Sequence, residues 1–307
     1  MVAIATGDGV HHRPRIALLG WVPPDILKVI ATRFDPVDRD GLSDLSEAQR
    51  AAITHGLTSA KSGLDADELG DLAGLTTIAS VGAGMENFDL PQLSARGIKV
   101  HPTANAMSED TAEFAVGLVF ALLRHIVNND GFVRRGDWAA GRAPLGWRIS
   151  QRRVGVVGLG RIGAKVAQKL AALGCDIAYT ARTQKDVDWR FEPEIADLAR
   201  TVDVLVLCCS GGEATRGLVD ANVLDLLGPN GHLVNVSRGT VVDEPALLHA
   251  LEQGTIAGAA LDVFESEPTP NPRFLALSNC ILQPHTSVLT RENRGDLIAE
   301  LTRLLDH

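Results

Sequence analysis

The chain has 307 residues, comfortable for two hydrophobic cores and long for one. Apolar residues make up 45% and aromatics only 4%, so the cores must be built from Ala, Val, Leu and Ile, a composition that suits parallel sheets covered by helices. The formal net charge is −9 and the sequence pI about 5.5, with no Lys/Arg run, which argues against nucleic acid and anionic membrane as partners. The four cysteines, Cys175, Cys208, Cys209 and Cys280, form no CxxC pair and read as buried, reduced thiols. No apolar run reaches the roughly 18 residues of a membrane span. The stretch to Arg13 lacks a basic region followed by an apolar one, so it reads as a frayed tail, with His11-His12 incidental. A cytoplasmic protein is expected, and no metal is called for.

Short β-like runs alternate with helix-like runs almost throughout. Residues 15–20 read as a strand and 24–34 as a helix with prolines at its start. Strands are expected over 51–56, 76–82 and 98–101, with helices over 65–72 and 90–96. A long helix follows. Ser108 can cap it, Glu109 and Asp110 suit its positive end, and 111–125 carries an apolar face. The Gly-, Arg- and Trp-rich stretch 134–150 has no clear period and reads as a linker or surface loop. From Arg153 a second α/β series begins, with strands over 154–157, 176–180, 202–208, 232–236, 257–261 and 280–283. Its helices include 162–173, 221–227 and 244–253. Six strands alternating with helices is the count for a dinucleotide-binding fold. The last helix, 291–305, comes after that sheet is complete and is expected to pack on the first domain. The expected organisation is therefore a substrate domain made of 14–103 and 286–307, with a nucleotide-binding domain, 104–285, inserted between. Two domains joined by two crossings leave a cleft of the kind where ligands commonly bind.

The stretch VGVVGLGRIG, residues 154–163, reads as a buried strand, a glycine loop and the start of a helix. Gly158 allows the tight turn, Gly160 lets the backbone approach a pyrophosphate, and Gly163 lets helix and strand pack closely. Leu159, Arg161 and Ile162 complete the loop, and the helix beginning there points free N–H groups and a positive dipole end at the phosphates. A purely structural turn is the alternative. An NAD site would place Asp or Glu at the end of the second strand, near Thr180, to accept from the ribose 2′-OH. No acid stands there. Ala181, Arg182 and Thr183 follow, then Gln184 and Lys185, and Arg offers a planar fork of donors for a 2′-phosphate. An ordinary solvated turn is the other reading. NADP(H) is preferred, with NAD(H) as the alternative coenzyme.

Three further segments each begin where a predicted strand ends: Asn235-Val236-Ser237-Arg238-Gly239, the run from Leu261 to Pro268, and Gln283-Pro284-His285-Thr286-Ser287. In an open parallel sheet the carboxyl ends of the strands form the ligand crevice, so Arg, Glu and His converge beside the nicotinamide. Taken alone, Arg238 also reads as a surface ion pair, and a lone His285 is more often a structural histidine.

With these segments in view, the sequence resembles the D-isomer-specific 2-hydroxyacid dehydrogenases, and among them the glyoxylate/hydroxypyruvate reductases. The resemblance covers nearly the whole chain after the tail. It rests on GLGRIG (158–163), VSRGTVVDEPALLHAL (236–251), GTIAGAALDVFESEP (254–268) and QPH (283–285), in matching order and spacing. It implies an α/β protein of two Rossmann-like domains: a flavodoxin-like substrate domain formed by both termini, and an inserted coenzyme domain.

The resemblance also implies roles. Arg238 matches the arginine that holds the substrate carboxylate and polarises the keto group. His285 matches the acid–base residue that protonates the new alkoxide, and Glu267 the carboxylate paired with it; Glu265, two residues earlier, is the less favoured partner. The loop Val81-Gly82-Ala83-Gly84 matches the one whose backbone N–H groups grip the substrate carboxylate, and a glycine-rich turn makes such a concave anion site; a tight strand-to-helix turn is the plain alternative. Thr111 matches a position facing the nicotinamide and Asp262 the acid near its carboxamide. Cys208 and Ser210 match the loop beside the adenine ribose. Val236, Ser237, His285 and Ser287 complete the expected coenzyme contacts. A homodimer formed through the coenzyme domain is implied, with the apolar helix 111–125 and the Trp-bearing loop as candidate surface.

Two departures bear on substrate choice. Thr286-Ser287-Val288 adds bulk where the family often has a smaller pair, and Gly141 follows Trp138 where some reductases carry a second Trp. The expected activity is NADPH-preferring reduction of glyoxylate or hydroxypyruvate to the D-2-hydroxy acid. The alternatives are a larger 2-keto acid, such as 2-ketogluconate or an aryl pyruvate, or a nucleotide-sensing regulator on the same fold.

Overall fold

The computed structural model describes residues 13–306 except 65 and 71, so the tail and the His11-His12 pair lie outside the described residues. The chain divides into two compact units, Met1–Ala106 with Arg291–His307, and Met107–Thr290.

The first unit opens with β1 (Arg15–Leu18), α1 (Pro24–Ile30), β2 (Asp35–Val37), α2 (Arg39–Ser43), α3 (Glu47–Ala51) and β3 (His55–Ser59). It continues through a 3-10 turn (Ala66–Leu69), β4 (Thr77–Val81), α4 (Leu90–Ala95) and β5 (Lys99–Pro102). The five strands are parallel, in the order β2-β1-β3-β4-β5, which is the flavodoxin order. The strand expected over 51–56 begins later. Ser46 accepts from Gln49 N–H while the Gln49 side chain accepts from Ser46 N–H, and this capping box carries α3 through Ala51. The helix expected over 65–72 is only the 3-10 turn among the described residues.

The second unit holds α5 (Ser108–Leu123), α6 (Ile126–Arg134), β6 (Arg153–Val157), α7 (Arg161–Ala172), β7 (Asp176–Thr180), β8 (Arg190–Phe191) and α8 (Ile195–Thr201). Then come β9 (Val204–Leu207), α9 (Ala221–Leu227), β10 (His232–Asn235), α10 (Glu244–Gln253), β11 (Gly258–Leu261) and β12 (Cys280–Leu282). Seven parallel strands run in the order β12-β11-β10-β9-β6-β7-β8 among the described residues. Every residue of β9, β10 and β11 is buried, as parallel strands covered on both faces require. Sequence order reverses between β6 and β9, and the crevice at that switch point is where such sheets bind ligands.

Ser108 does not cap α5. The N-cap is Met107, already in helical conformation, and Ser108 is the first helical residue. The helix ends at Leu123, and His125 at φ +52 starts α6, so the irregular stretch begins only after Arg134. Asp220 and Asp243 cap α9 and α10 through the N–H of Val223 and Ala246, and Gly254 at φ +71 closes α10 in the left-handed conformation.

The last helix, α11 (Arg291–Leu305), belongs to the first unit, where it packs on β4 and α1. Its buried residues Asn293, Leu297, Leu301 and Leu305 recur every four positions and so lie on one face. Arg294 pairs with Asp25 at 3.0 Å and Arg33 with Asp306 at 2.8 Å.

Candidate active site

The glycine loop leaves β6 and enters α7 with no side-chain cap, so the first N–H groups of α7 stay available to an anion. Gly158 sits at φ +91, and a Cβ there would fall 2.6 Å from Cys209 Cα. A Cβ on Gly163 would fall 2.0 Å from the Gly158 carbonyl oxygen. At Gly160 a Cβ would meet nothing within 4 Å, so that face of the loop is open. Two glycines are therefore needed by the protein itself, and the third keeps space clear for a ligand. The residues fit a dinucleotide pyrophosphate.

Beyond β7 the exposed residues Arg182 and Thr183 follow half-buried Ala181, and Lys185 Nζ lies 3.5 Å from Thr183 Oγ1. Beyond β9 come Cys208, Cys209 and exposed Ser210, whose carbonyl accepts from the Thr215 hydroxyl at 2.8 Å. Burial pushes both the Cys208 and the Cys209 thiol up, and Cys280 up to about 12, so all three stay neutral. Thr111 is buried in the first turns of α5, with its hydroxyl donating to Met107 O at 2.9 Å.

The loop after β10 is organised by Asn235, which is 1% exposed. Its Oδ1 accepts from Ser237 N–H at 3.0 Å and from the Ser237 hydroxyl at 2.8 Å, while its Nδ2 donates to Arg238 O at 2.9 Å. Val236 and Ser237 are buried, and half-buried Arg238 emerges at the rim with Nη1 donating to Ser237 O at 2.8 Å. The aliphatic stem of Arg238 passes over Gly211, where a Cβ would lie 2.7 Å from Arg238 Cγ. The loops after β9 and β10 thus lie against each other.

Glu267 and His285 meet directly. His285 Nδ1 lies 2.8 Å from Glu267 Oε2, and Glu267 Oε1 accepts from Phe264 N–H at 3.1 Å. Burial works to raise the Glu267 carboxyl. The His285 hydrogen bond and charge, the Phe264 N–H and the charge of Arg238 outweigh it, and the carboxyl is held below its ordinary value. A carboxylate at Nδ1 fixes the tautomer in which Nδ1 carries a proton. Glu265 turns to Arg216 instead, at 3.8 Å. His285 itself sits at φ +55, and its N–H donates to Asp262 O at 2.9 Å. Asp262 is fully buried, and its two carboxylate oxygens accept from Thr286 N–H at 2.8 Å and Ser287 N–H at 3.1 Å. Arg238, Glu267 and His285 are thus brought together in one unit, on the loops that leave β10, β11 and β12.

Two supporting residues lie within the quoted motifs but were given no role there. One is Asn235, whose only signal is an amide closing the buried run His232–Asn235. The other is Glu244 at the start of α10, 7% exposed, whose Oε1 accepts from Glu265 N–H at 2.6 Å and so holds the loop carrying Glu267. Burial raises the Glu244 carboxyl. Among the described residues no cluster of three metal-ligating side chains occurs, and no helix is long and apolar enough to cross a membrane.

In the first unit, Val81-Gly82-Ala83-Gly84 leaves the end of β4 with Gly82 at φ +120. Gly82 N–H donates to the Thr103 hydroxyl at 3.0 Å, so Gly82 contributes the shape of the turn.

Comparison with known proteins is consistent with this geometry. Residues 116–287 match the model for the D-isomer specific 2-hydroxyacid dehydrogenase NAD-binding domain, and residues 22–189 the model for the catalytic domain of the same family. The chain belongs to the D-isomer specific 2-hydroxyacid dehydrogenase family. It is 41% identical over 256 residues to the 2-ketogluconate reductase of Gluconobacter oxydans, covering 83% of this chain and 81% of that one. It is 40% identical over 260 residues to glyoxylate/hydroxypyruvate reductase A of Arabidopsis thaliana, covering 83% of each. A crystal structure of the NADPH-dependent glyoxylate/hydroxypyruvate reductase of Sinorhizobium meliloti, in complex with NADP and malonate, superposes with a TM-score of 0.84 at 34% identity, covering 94% of this chain and 91% of that one. This 2-hydroxyacid dehydrogenase therefore has relatives named for both small and larger keto acids.

Proposed function

We propose that this dehydrogenase is an NADPH-preferring reductase of small 2-keto acids, glyoxylate and hydroxypyruvate, giving D-2-hydroxy acids. The observation that carries the reading is the Glu267–His285 pair at 2.8 Å, with Arg238 on the loop after β10 near enough for its charge to help lower the Glu267 carboxyl. The guanidinium of Arg238 is a planar fork suited to a carboxylate, and it draws electron density from the neighbouring keto oxygen. The bound coenzyme supplies a hydride to the keto carbon. His285 gives a proton from Nε2 to the oxygen that gains charge, while Glu267 at Nδ1 orients the ring and balances the charge it carries before that transfer. The N–H groups at the start of α7 hold the pyrophosphate, and Arg182, Thr183 and Lys185 receive a 2′-phosphate.

Preference for NADPH is supported by the missing acid after β7 and by the Sinorhizobium relative named as NADPH-dependent. A homodimer is part of the same reading. The second unit exposes Ile126, Val127 and Val133 on α6, then Trp138 and Leu145, the last at 94%. A groove of about 560 Å³ reaching Val127 is lined by apolar Phe114, Leu118, Ile281 and Leu289 together with several polar residues, and a second copy would cover these exposed side chains.

The test follows NADPH and NADH oxidation with glyoxylate, hydroxypyruvate, phenylpyruvate and 2-ketogluconate, one at a time. Fast loss of NADPH with the two smallest acids is expected. Turnover confined to 2-ketogluconate or phenylpyruvate would keep the mechanism and reject the substrate. Tight coenzyme binding without turnover would point to a sensor.

A further inference from the structure

We propose that Tyr179 is a positioning residue for coenzyme selection: its buried hydroxyl fixes the backbone of the 181–185 loop so that Arg182, Thr183 and Lys185 can receive a 2′-phosphate. This role rests on the NADPH reading above and extends it to a residue that does not itself meet the coenzyme.

Tyr179 is the only tyrosine in the chain, and it is fully buried in β7. A buried phenol needs a hydrogen-bond partner, which is why core positions usually favour Phe. Here the partner lies outside the core. The Tyr179 oxygen accepts from Lys185 N–H at 2.8 Å and its hydroxyl donates to Lys185 O at 3.3 Å. One side chain thus holds both backbone polar groups of one residue, six positions further along.

The ring itself has little freedom. Tyr179 pairs in register with Phe191 across β7 and β8, and the two rings lie 5.3 Å apart at 42°. Around this anchor the chain is exposed continuously from Arg182 to Asp188, so side-chain burial does little to order it. The loop carries the cations but lacks an apolar footing of its own. Its order is tied to the phenol, to the Val187 N–H donated to Lys185 O at 3.0 Å, and to the reach of Lys185 Nζ toward Thr183. Freed from the phenol, Arg182 and Lys185 would keep their charge but lose their aim, and any phosphate they bind would have to order the loop first.

The experiment compares wild type with Tyr179→Phe by isothermal titration of the coenzyme-free protein. The probes are adenosine 2′,5′-bisphosphate and AMP, which differ only in the 2′-phosphate. Amide hydrogen exchange across 182–187 is measured alongside. Wild type should bind the bisphosphate more tightly than AMP. Tyr179→Phe removes both bonds to Lys185 and should weaken the bisphosphate about five-fold, part of their loss being felt at the phosphate. AMP affinity should stay unchanged, and exchange should quicken at Lys185. An unchanged bisphosphate-to-AMP ratio in the variant would overturn the positioning role while leaving the NADPH reading intact. Equal weakening of both ligands would show general damage to the site and also overturn it. A wild type that does not prefer the bisphosphate would remove the NADPH reading, and this role with it.

Discussion

The Asp262 carbonyl accepts the backbone N–H of His285 at 2.9 Å, and the Asp262 carboxylate takes the next two N–H groups, those of Thr286 and Ser287. A single buried aspartate therefore grips the segment that places His285 in a left-handed conformation, which non-glycine residues rarely adopt. Asp262→Asn keeps the size but offers one acceptor where two N–H groups need one each. Steady-state assays should show kcat reduced by about 10-fold or more, with coenzyme affinity by fluorescence titration less affected. Wild-type kcat in the variant would contradict this role for Asp262.

His285→Ala should lower kcat by ~10²–10⁴, the usual scale of general acid–base catalysis, with coenzyme binding nearly intact. Glu267→Gln should also lower kcat, since it removes the charge that faces the ring at Nδ1. Because the Glu267 carboxyl is held below its ordinary value, its charge persists as pH falls through the usual carboxylate range. Its contribution to stability is present above the unfolded-state value and is lost only as pH falls through the lower folded-state one. Urea unfolding should therefore show the wild-type advantage over Glu267→Gln in full at pH 7 and declining once the pH falls below 4.5.

His232 also costs stability in acid, in a higher pH window. It is 2% exposed beside Trp147, and burial lowers its pKa from 6.5 to about 4. Between those values the unfolded chain binds a proton that the folded protein excludes, so stability falls as pH drops from 6.5 toward 4. His232→Leu should flatten the thermal midpoint across that window. An equally steep acid loss in the variant would assign the effect elsewhere.

The glycines of the loop should separate by role. Gly160→Ala meets nothing within 4 Å, so its melting temperature should match wild type while dinucleotide affinity falls. Gly158→Ala should lose both, because its Cβ would strike the Cys209 backbone and φ +91 is strained for alanine. Calorimetry with and without coenzyme distinguishes the two.

Much of the second unit was legible because its longer strands are short apolar runs separated by helix-like runs, three of them ending at Gly158, Asn235 and Asp262. The 51–56 region was not. Its apolar residues suggested a strand, but the capping box of Ser46 and Gln49 decided the local structure first. β8 has only two residues and α8 lacks a side-chain cap, so neither leaves a periodic signal. In the site, Arg238, Glu267 and His285 stood out because their motifs follow strand ends. Asn235 and Glu244 did not, since their function is to hold backbone, and the backbone they hold is visible only once the loops are folded.

The most direct test of the central claim is the ratio of kcat/KM for NADPH over NADH with hydroxypyruvate as substrate. Efficient turnover and a ratio well above one are expected, with the ratio falling toward one in Arg182→Ala. Efficient turnover with a ratio at or below one would contradict the coenzyme assignment, and no turnover with either coenzyme would contradict the proposed reaction.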